Sequence, residues 1–147
     1  MKKIIVDIDG TCSNAAHRLH FIQNKPADWD AFHDNVHADA VHGDIRALVS
    51  LIARSTLGVE ILYVTGRMER CREDTEHWLY QHAFPQGLLY MRKNKDYRQD
   101  YIIKSETADA LGLTPENVWF VLDDRDQVVK MWRARGFRVL QVADGNF

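Results

Sequence analysis

A short β-branched run, Ile4-Ile5-Val6, leads directly into Asp7-Ile8-Asp9-Gly10-Thr11. A strand that stops on two acids one residue apart, followed by glycine and a hydroxyl residue, has few structural uses. At average residue frequencies the pattern arises by chance in a chain this size with probability on the order of 10⁻³. Apolar runs of this kind suit a strand buried on both faces of a parallel sheet. The polar end of such a strand opens into the crevice where open α/β sheets bind ligands.

The rest of the chain alternates strand and helix. Val59 to Val64 is a second strand ending in Thr65-Gly66-Arg67; Leu88 to Met91, Val118 to Leu122 and Phe137 to Val142 are further strands. Ala15 to Asn24 has a mixed, helix-like pattern, and Asp28 is placed to cap a helix with Trp29, Phe32 and Val36 on one face. Ile45, Leu48, Val49 and Ile52 recur at helical spacing, with Gly58 where that helix would close. Helices are also expected over 69–82, with Trp78 and Leu79 inward, over 98–111, and from Val128 to near Gly136. Such alternation predicts right-handed βαβ units and a parallel sheet covered on both faces. With 147 residues, no repeat and no linker, one α/β domain over 1–147 is expected.

Composition narrows the partners. Lys and Arg number 19 against 21 Asp and Glu, so the formal net charge is −2 and no global basic field is available for a polyanion. Two cysteines, Cys12 and Cys71, provide neither a disulfide framework nor a C-x-x-C metal site. No apolar run suits a signal-peptide core or a membrane span, so the expectation is a cytoplasmic domain with no membrane role.

The polar signals gather at strand ends: Asp7 and Asp9, then Thr65-Gly66-Arg67, then Asp123-Asp124, with Lys104 on the helix before the last pair. Four carboxylates in one cleft repel unless a divalent cation neutralises them, and an all-oxygen site suits Mg²⁺. A phosphate fits such a cleft. Asp7 is then the candidate nucleophile and Asp9 the candidate general acid and base. Thr65 and Lys104 are candidate donors to phosphoryl oxygens, Gly10 lets main-chain N–H groups approach them, and Asp123 with Asp124 would hold the metal.

These elements, in this order, resemble the haloacid dehalogenase (HAD) superfamily of aspartyl-phosphate phosphotransferases. The second half is similar to the 3′-phosphatase domain of bacteriophage polynucleotide kinase. That likeness rests on Arg92-x3-Asp96-x-Arg98-x-Asp100-x3-Lys104, on Asp123 to Arg133, and on the ending Gln141-Val142-Ala143-x-Gly145-x-Phe147. The resemblance implies a three-layer Rossmann-like sandwich with a small cap, and an aspartyl-phosphate intermediate on Asp7. It implies metal ligation by Asp7, the Asp9 carbonyl, Asp123 and Asp124. By position it adds Arg18, Arg67, Asp100 and Lys104 to the site, with Gly10, Thr11 and Gly66 as parts of the matching motifs. Cys12 stands where the superfamily usually has an aliphatic residue. No G-x-x-x-x-G-K-[ST] occurs, so these residues hold no P-loop for 5′-phosphorylation, and a separate kinase or ligase is the partner this arrangement implies.

Only helix, strand and helix fit between Thr65 and Lys104, so the cap must be about residues 13 to 42. A cap that small leaves the cleft open to a polymer end. Arg67, Arg70, Arg72, Arg92, Lys93, Lys95 and Arg98 give local positive charge for neighbouring phosphates, and Trp29, Phe32 or Tyr97 could stack on a terminal base. Packing of Trp29 and Phe32 between lid and core is the plainer reading of those two. The function expected is Mg²⁺-dependent removal of a 3′-phosphate, or of a 2′,3′-cyclic phosphate, from DNA or RNA ends. A nucleotidase with the same four elements is the alternative. A phosphoacceptor signalling domain fits less well, because its lysine comes last, whereas Lys104 precedes Asp123.

Overall fold

The computed structural model describes all 147 residues, Met1–Phe147. The elements, in chain order, are β1 (Lys3–Val6), β2 (Ser13–Asn14), α1 (His20–Gln23), α2 (Trp29–Asp34), β3 (Ala40–Val41), α3 (Gly43–Arg54) and β4 (Glu60–Met68). They continue with α4 (Arg72–Gln81), β5 (Leu88–Arg92), α5 (Asp100–Ala110), β6 (Val118–Asp123), α6 (Asp126–Ala134) and β7 (Val139–Gln141). Five strands form one sheet in the order β5-β4-β1-β6-β7, every pair parallel.

Two-residue alternation divides the core into two layers. On β1, Ile4 and Val6 face one side and Ile5 the other; on β4, Ile61 and Tyr63 oppose Leu62 and Val64. The first side packs against Val49 of α3 and Trp78 and Leu79 of α4. The second packs against Ala108 of α5 and Val128, Val129 and Trp132 of α6. The result is the three-layer α/β/α arrangement that alternating strands and helices require. No helix is long and apolar enough to cross a membrane.

The sheet register places the acids. Val6 pairs with Leu122, so Asp7 emerges beside Asp123; Val6 also pairs with Tyr63, so β4 delivers Thr65 next to the same crevice. Because β1 is flanked by β4 on one side and β6 on the other, the chain reverses direction across the sheet at β1. That switch point is where the crevice opens.

Several local expectations change. The Thr65-Gly66-Arg67 segment is not a turn after the strand: β4 runs through it to Met68, and its pairing with β5 slips register between Val64 and Met68 before resuming at Met68 and Arg92. The helix expected over 15–24 divides into a 3₁₀ turn, Ala16–Arg18, and the single turn α1. Asp28 does cap α2, accepting from the Ala31 N–H at 2.9 Å, but the helix ends before Val36, which begins a separate 3₁₀ turn. Trp29 is consequently not packed into the core but half exposed, at 51%. α3 closes at Ser55, ahead of Gly58. Residues 13 to 42 are bounded by a two-strand antiparallel ribbon in which Ser13 pairs with Val41 and Asn14 with Ala40. Periodicity has no purchase on two-residue strands.

Trp132 is fully buried, edge-on to Phe137 at 5.2 Å. Trp132→Ala should therefore cost about 3–5 kcal/mol of folding stability, read as a lowered urea midpoint at constant slope.

Candidate active site

Lys104 organises the floor of the crevice. Its position on α5 brings Nζ to 2.7 Å from Asp7 Oδ1, 2.9 Å from Asp123 Oδ2 and 3.6 Å from Asp100 Oδ2. All but Asp100 are buried. Burial works against the lysine's charge, but Asp100, Asp123 and Asp7 override it and hold the ammonium well above its usual range. Asp7 is held at its other oxygen too, where the Thr11 hydroxyl donates at 3.0 Å. Asp123 has no free oxygen: Oδ2 takes Lys104, and Oδ1 accepts from the backbone N–H of Asp124 at 2.9 Å and of Arg125 at 3.4 Å. The Asp124 carboxylate has only the Thr11 hydroxyl, at 3.5 Å, and lines the cavity.

This cluster has too much negative charge for its surroundings. Oxygens of Asp7, Asp123 and Asp124 lie within 4.8 Å of one another. Burial, and then the charge of Asp123, push Asp7 well above the usual carboxylate range and push Asp124 up to about 6. One lysine cannot neutralise three such acids with Asp100 also drawing on it. An oxygen-only donor set carrying an unmet negative charge fits a hard divalent cation.

A second charge network forms the side wall. Asp9, two residues beyond Asp7, is gripped by two arginines: Arg18 Nη2 donates to its Oδ1 at 2.7 Å, and Arg67 Nη2 donates to the same oxygen at 2.7 Å. Burial alone would raise the Asp9 carboxyl, but the charges of Arg67 and then Arg18 hold it well below the usual carboxylate range. The same arginines converge on Asp39, at 2.8 Å from Arg18 Nε and 3.1 Å from Arg67 Nη2. His17 Nε2 lies 2.7 Å from Asp39 Oδ1, and the Trp78 indole N–H donates to the Asp39 carbonyl. Nothing around Asp39 in the sequence marks it. The signal available was a requirement: two arginines inside one site need more than one counter-charge, and Asp9 alone does not supply it.

The structure places the remaining expected residues as follows. Gly10 sits at φ +86°, and a Cβ there would collide with the Asp124 carboxylate, so only glycine lets β1 and β6 deliver their acids together. The N–H groups of Gly10 and Thr11 are already used on Ser13 O and Ile8 O. Gly10 thus supplies space and Thr11 holds Asp7. Gly66 plays the equivalent part on β4, where a side chain would strike Asp100. Thr65 is buried, its hydroxyl oxygen accepting from the Arg67 N–H at 3.2 Å. Arg92 is not directed at phosphate: it donates to the carbonyls of Gly66, Asp96 and Arg98 and lies 3.4 Å from Asp100. Arg98 is paired with Asp96 and Glu106. The His33 and His37 pair, at a spacing that mimics a zinc helix, is divided between α2 and the following 3₁₀ turn and makes no metal site.

The cavity over these residues is about 680 Å³ and extends from the acids past Trp29, Phe32 and His33 on α2 to Tyr97 and Gln99. A parallel-sheet fold with two acids just after the first strand, a lysine on a late helix and an acidic pair after it is the pattern of a HAD-type hydrolase. The fold is similar to that of a predicted phosphatase from Clostridium acetobutylicum (TM-score 0.69, 14% identity, 95% of this chain and 83% of that one). It is equally similar to a haloacid dehalogenase-like hydrolase from Streptococcus pneumoniae (TM-score 0.69, 13% identity, 96% and 84%). The family model described as the polynucleotide kinase PNKP phosphatase domain matches residues 1–147, and the chain belongs to that family of phosphoric monoester hydrolases.

Two relatives are larger. A chain in the structure of a Pnkp1/Rnl/Hen1 complex is 32% identical with a TM-score of 0.82, covering 99% of this chain and 47% of that one. A putative bifunctional polynucleotide kinase/RNA ligase of Autographa californica nuclear polyhedrosis virus is 26% identical over 133 residues, 90% of this chain and 18% of its own length. The chain thus spans half or less of each.

Asp7 and Asp124 hold a proton more tightly folded than unfolded, so the cluster costs stability as pH rises above the ordinary carboxylate range, Asp124 doing so up to about 6. Mg²⁺ should therefore raise the Tm more at about pH 8 than at about pH 5, and an equal shift at both would exclude this cluster as the cation site. Asp39→Asn leaves two buried arginines short of charge and should cost about 3–5 kcal/mol, measured by denaturant unfolding.

Proposed function

We propose that the chain removes the 3′-phosphate from DNA or RNA ends, and opens and clears a 2′,3′-cyclic phosphate as a related ester, through a phosphoryl group held transiently on Asp7. The observation that carries this reading is the buried triangle of Asp7, Lys104 and Asp123: the ammonium and the Thr11 hydroxyl fix both oxygens of Asp7. A carboxylate held in that way is positioned for in-line attack, and phosphoryl transfer depends mainly on positioning and charge neutralisation.

Asp7 forms a bond to phosphorus as the bond from phosphorus to the 3′-oxygen breaks. Asp9 gives that oxygen a proton, leaving a 3′-hydroxyl. Asp9 then takes a proton from the water that attacks phosphorus, and inorganic phosphate leaves with Asp7 restored. The arginine clamp suits the second half directly, since it keeps Asp9 ionised. The first half needs a proton on Asp9. A phosphate drawing Arg18 or Arg67 to its own oxygens would weaken that clamp and favour protonation, so substrate arrival itself prepares the acid. Lys104 and the Thr65 hydroxyl are donors for the phosphoryl oxygens.

Mg²⁺ would be held by Asp7, the Asp9 carbonyl and the Asp123-Asp124 pair, and would supply neutralisation of the phosphoryl charge. The Asp124 carboxylate, with only the Thr11 hydroxyl at 3.5 Å, is the less engaged of the pair. We read residues 1–147 as one such domain with 13–42 as its small cap, open enough for a polymer end. Residence of related chains in larger kinase and ligase assemblies supports a separate kinase or ligase as a partner.

Phosphate release should be measured from a 3′-phosphorylated oligonucleotide and from 3′- and 5′-mononucleotides, with and without Mg²⁺. Mg²⁺-dependent release favouring the oligonucleotide is expected; preference for a mononucleotide rejects the polynucleotide assignment. Asp7→Asn should abolish turnover while retaining substrate binding, and label from substrate phosphate should lodge on residue 7 of the wild type during quenched turnover.

A further inference from the structure

Residues 141–147 fold back across the turn at 123–126 that joins β6 to α6, and their contacts fall on that turn residue by residue. The Val142 N–H donates to the Asp123 carbonyl at 3.1 Å, and the Asp126 N–H donates to the Gly145 carbonyl at 2.9 Å. Gln141 Nε2 donates to the Asp124 carbonyl at 3.0 Å and to Asp126 Oδ1 at 2.7 Å. Arg125 Nε donates to the main-chain oxygen of Phe147 at 2.9 Å, and its guanidinium lies over the Phe147 ring, 5.3 Å from the centroid. Gly145 is pressed so closely against the Asp124 carbonyl and the Arg125 Cα that a Cβ there would collide with both.

These are not the contacts of a segment that serves the core. Gly145 alone is buried and Val142 packs at the core's edge, while the rest are exposed, Phe147 at 63%. An exposed segment with little apolar area adds little to folding stability. Yet every residue of one turn is tied to it, and that turn carries Asp124. Asp123 is fixed through its own side chain, by Lys104 and by two backbone N–H groups. The Asp124 carboxylate has only the Thr11 hydroxyl at 3.5 Å, so its place depends on where the main chain holds it. Two glycines bound that place: a Cβ at Gly10 would strike the carboxylate from the β1 side, and one at Gly145 would strike the carbonyl from behind.

We propose that residues 141–147 form a strap that places Asp124 for a divalent cation, with Gln141 and Phe147 as its positioning residues. The proposal rests on the reading of Asp7, Asp123 and Asp124 as a cation site. It gives a use to the ending Gln141-Val142-Ala143-x-Gly145-x-Phe147, which the phosphoryl-transfer steps leave without one. Removing the Gln141 donor frees the Asp124 carbonyl, and removing the Phe147 ring frees Arg125 beside it. The cation then bears the cost of ordering a turn that was ordered beforehand. Loss of a group that orients a metal ligand typically lowers metal affinity about 10- to 100-fold.

The test measures Mg²⁺ affinity by calorimetry at about pH 8, where the acids are ionised, and Tm with and without Mg²⁺. Wild type should bind Mg²⁺ and gain Tm from it. Gln141→Ala and Phe147→Ala should keep the wild-type Tm without Mg²⁺, yet raise the Kd for Mg²⁺ about tenfold or more and lose part of the Mg²⁺-induced rise. Phe147→Tyr, which keeps a ring under Arg125, should restore the affinity. Asn146→Ala, whose side chain is exposed and bonds to nothing in the turn, should match wild type. Phosphate release by the two weakened variants should be poor at low Mg²⁺ and recover at saturating Mg²⁺, a rescue that a damaged fold would not show. Wild-type Mg²⁺ affinity in both alanine variants, or a Tm lowered as much without Mg²⁺ as with it, overturns the strap. Failure of the wild type itself to bind Mg²⁺ overturns the cation reading, and the strap with it.

Discussion

The contact on which the site depends is the ammonium of Lys104 between the carboxylates of Asp7 and Asp123. It joins the first strand, the fourth strand of the sheet's order and a helix between them in sequence. It also sets the electrostatic problem that everything nearby answers. Asp7, Asp123 and Asp124 repel one another at short range, and the lysine offsets only part of that. The remainder is an unmet negative charge of the kind a hard divalent cation fits. Stability is given up for that arrangement: burial and neighbouring like charge disfavour the ionised forms of Asp7 and Asp124, a common signature of a reactive centre.

The second network answers a different need. Arg18 and Arg67 reach into the crevice without a full counter-charge from Asp9, and Asp39 completes the balance from behind. The two networks meet at the Asp7-x-Asp9 segment, which places one acid among acids and the other among bases. Two carboxylates two residues apart thereby acquire opposite proton affinities. Attack by Asp7 with proton transfer from Asp9 would need the reverse order, which a cation at Asp7 and a phosphate on the arginines would favour.

Much of this was legible in the amino-acid order. Ile4-Ile5-Val6 and Ile61 to Val64 read as buried strands because each residue faces a packed layer, leaving no polar position to blur the signal. Asp7, Asp9, Asp123 and Asp124 stood out because carboxylates at the ends of apolar strands are costly unless used, and Lys104 because it completes the ordered set. Asp39 did not, because its meaning lies in contact with residues 21 and 28 positions away. Arg92 and Arg98 were legible as charge near the cleft, but not their partners, since sequence cannot tell an arginine that holds carbonyls from one paired with acids. The continuation of β4 through Gly66 was hidden for a related reason: a glycine after a strand usually marks its end, and here it makes room for Asp100.

The strand order has a consequence for how the molecule comes into being. Within this domain β1 is made before its sheet partners, which begin at residues 60 and 118. Its isoleucines and its paired acids must wait, unpartnered, while the intervening segments are synthesised, and long-range closure of this kind is slow. Nascent fragments short of β6 lack both the central strand's second neighbour and the acidic pair, so the chemistry switches on with completion of the sheet rather than accumulating by degrees.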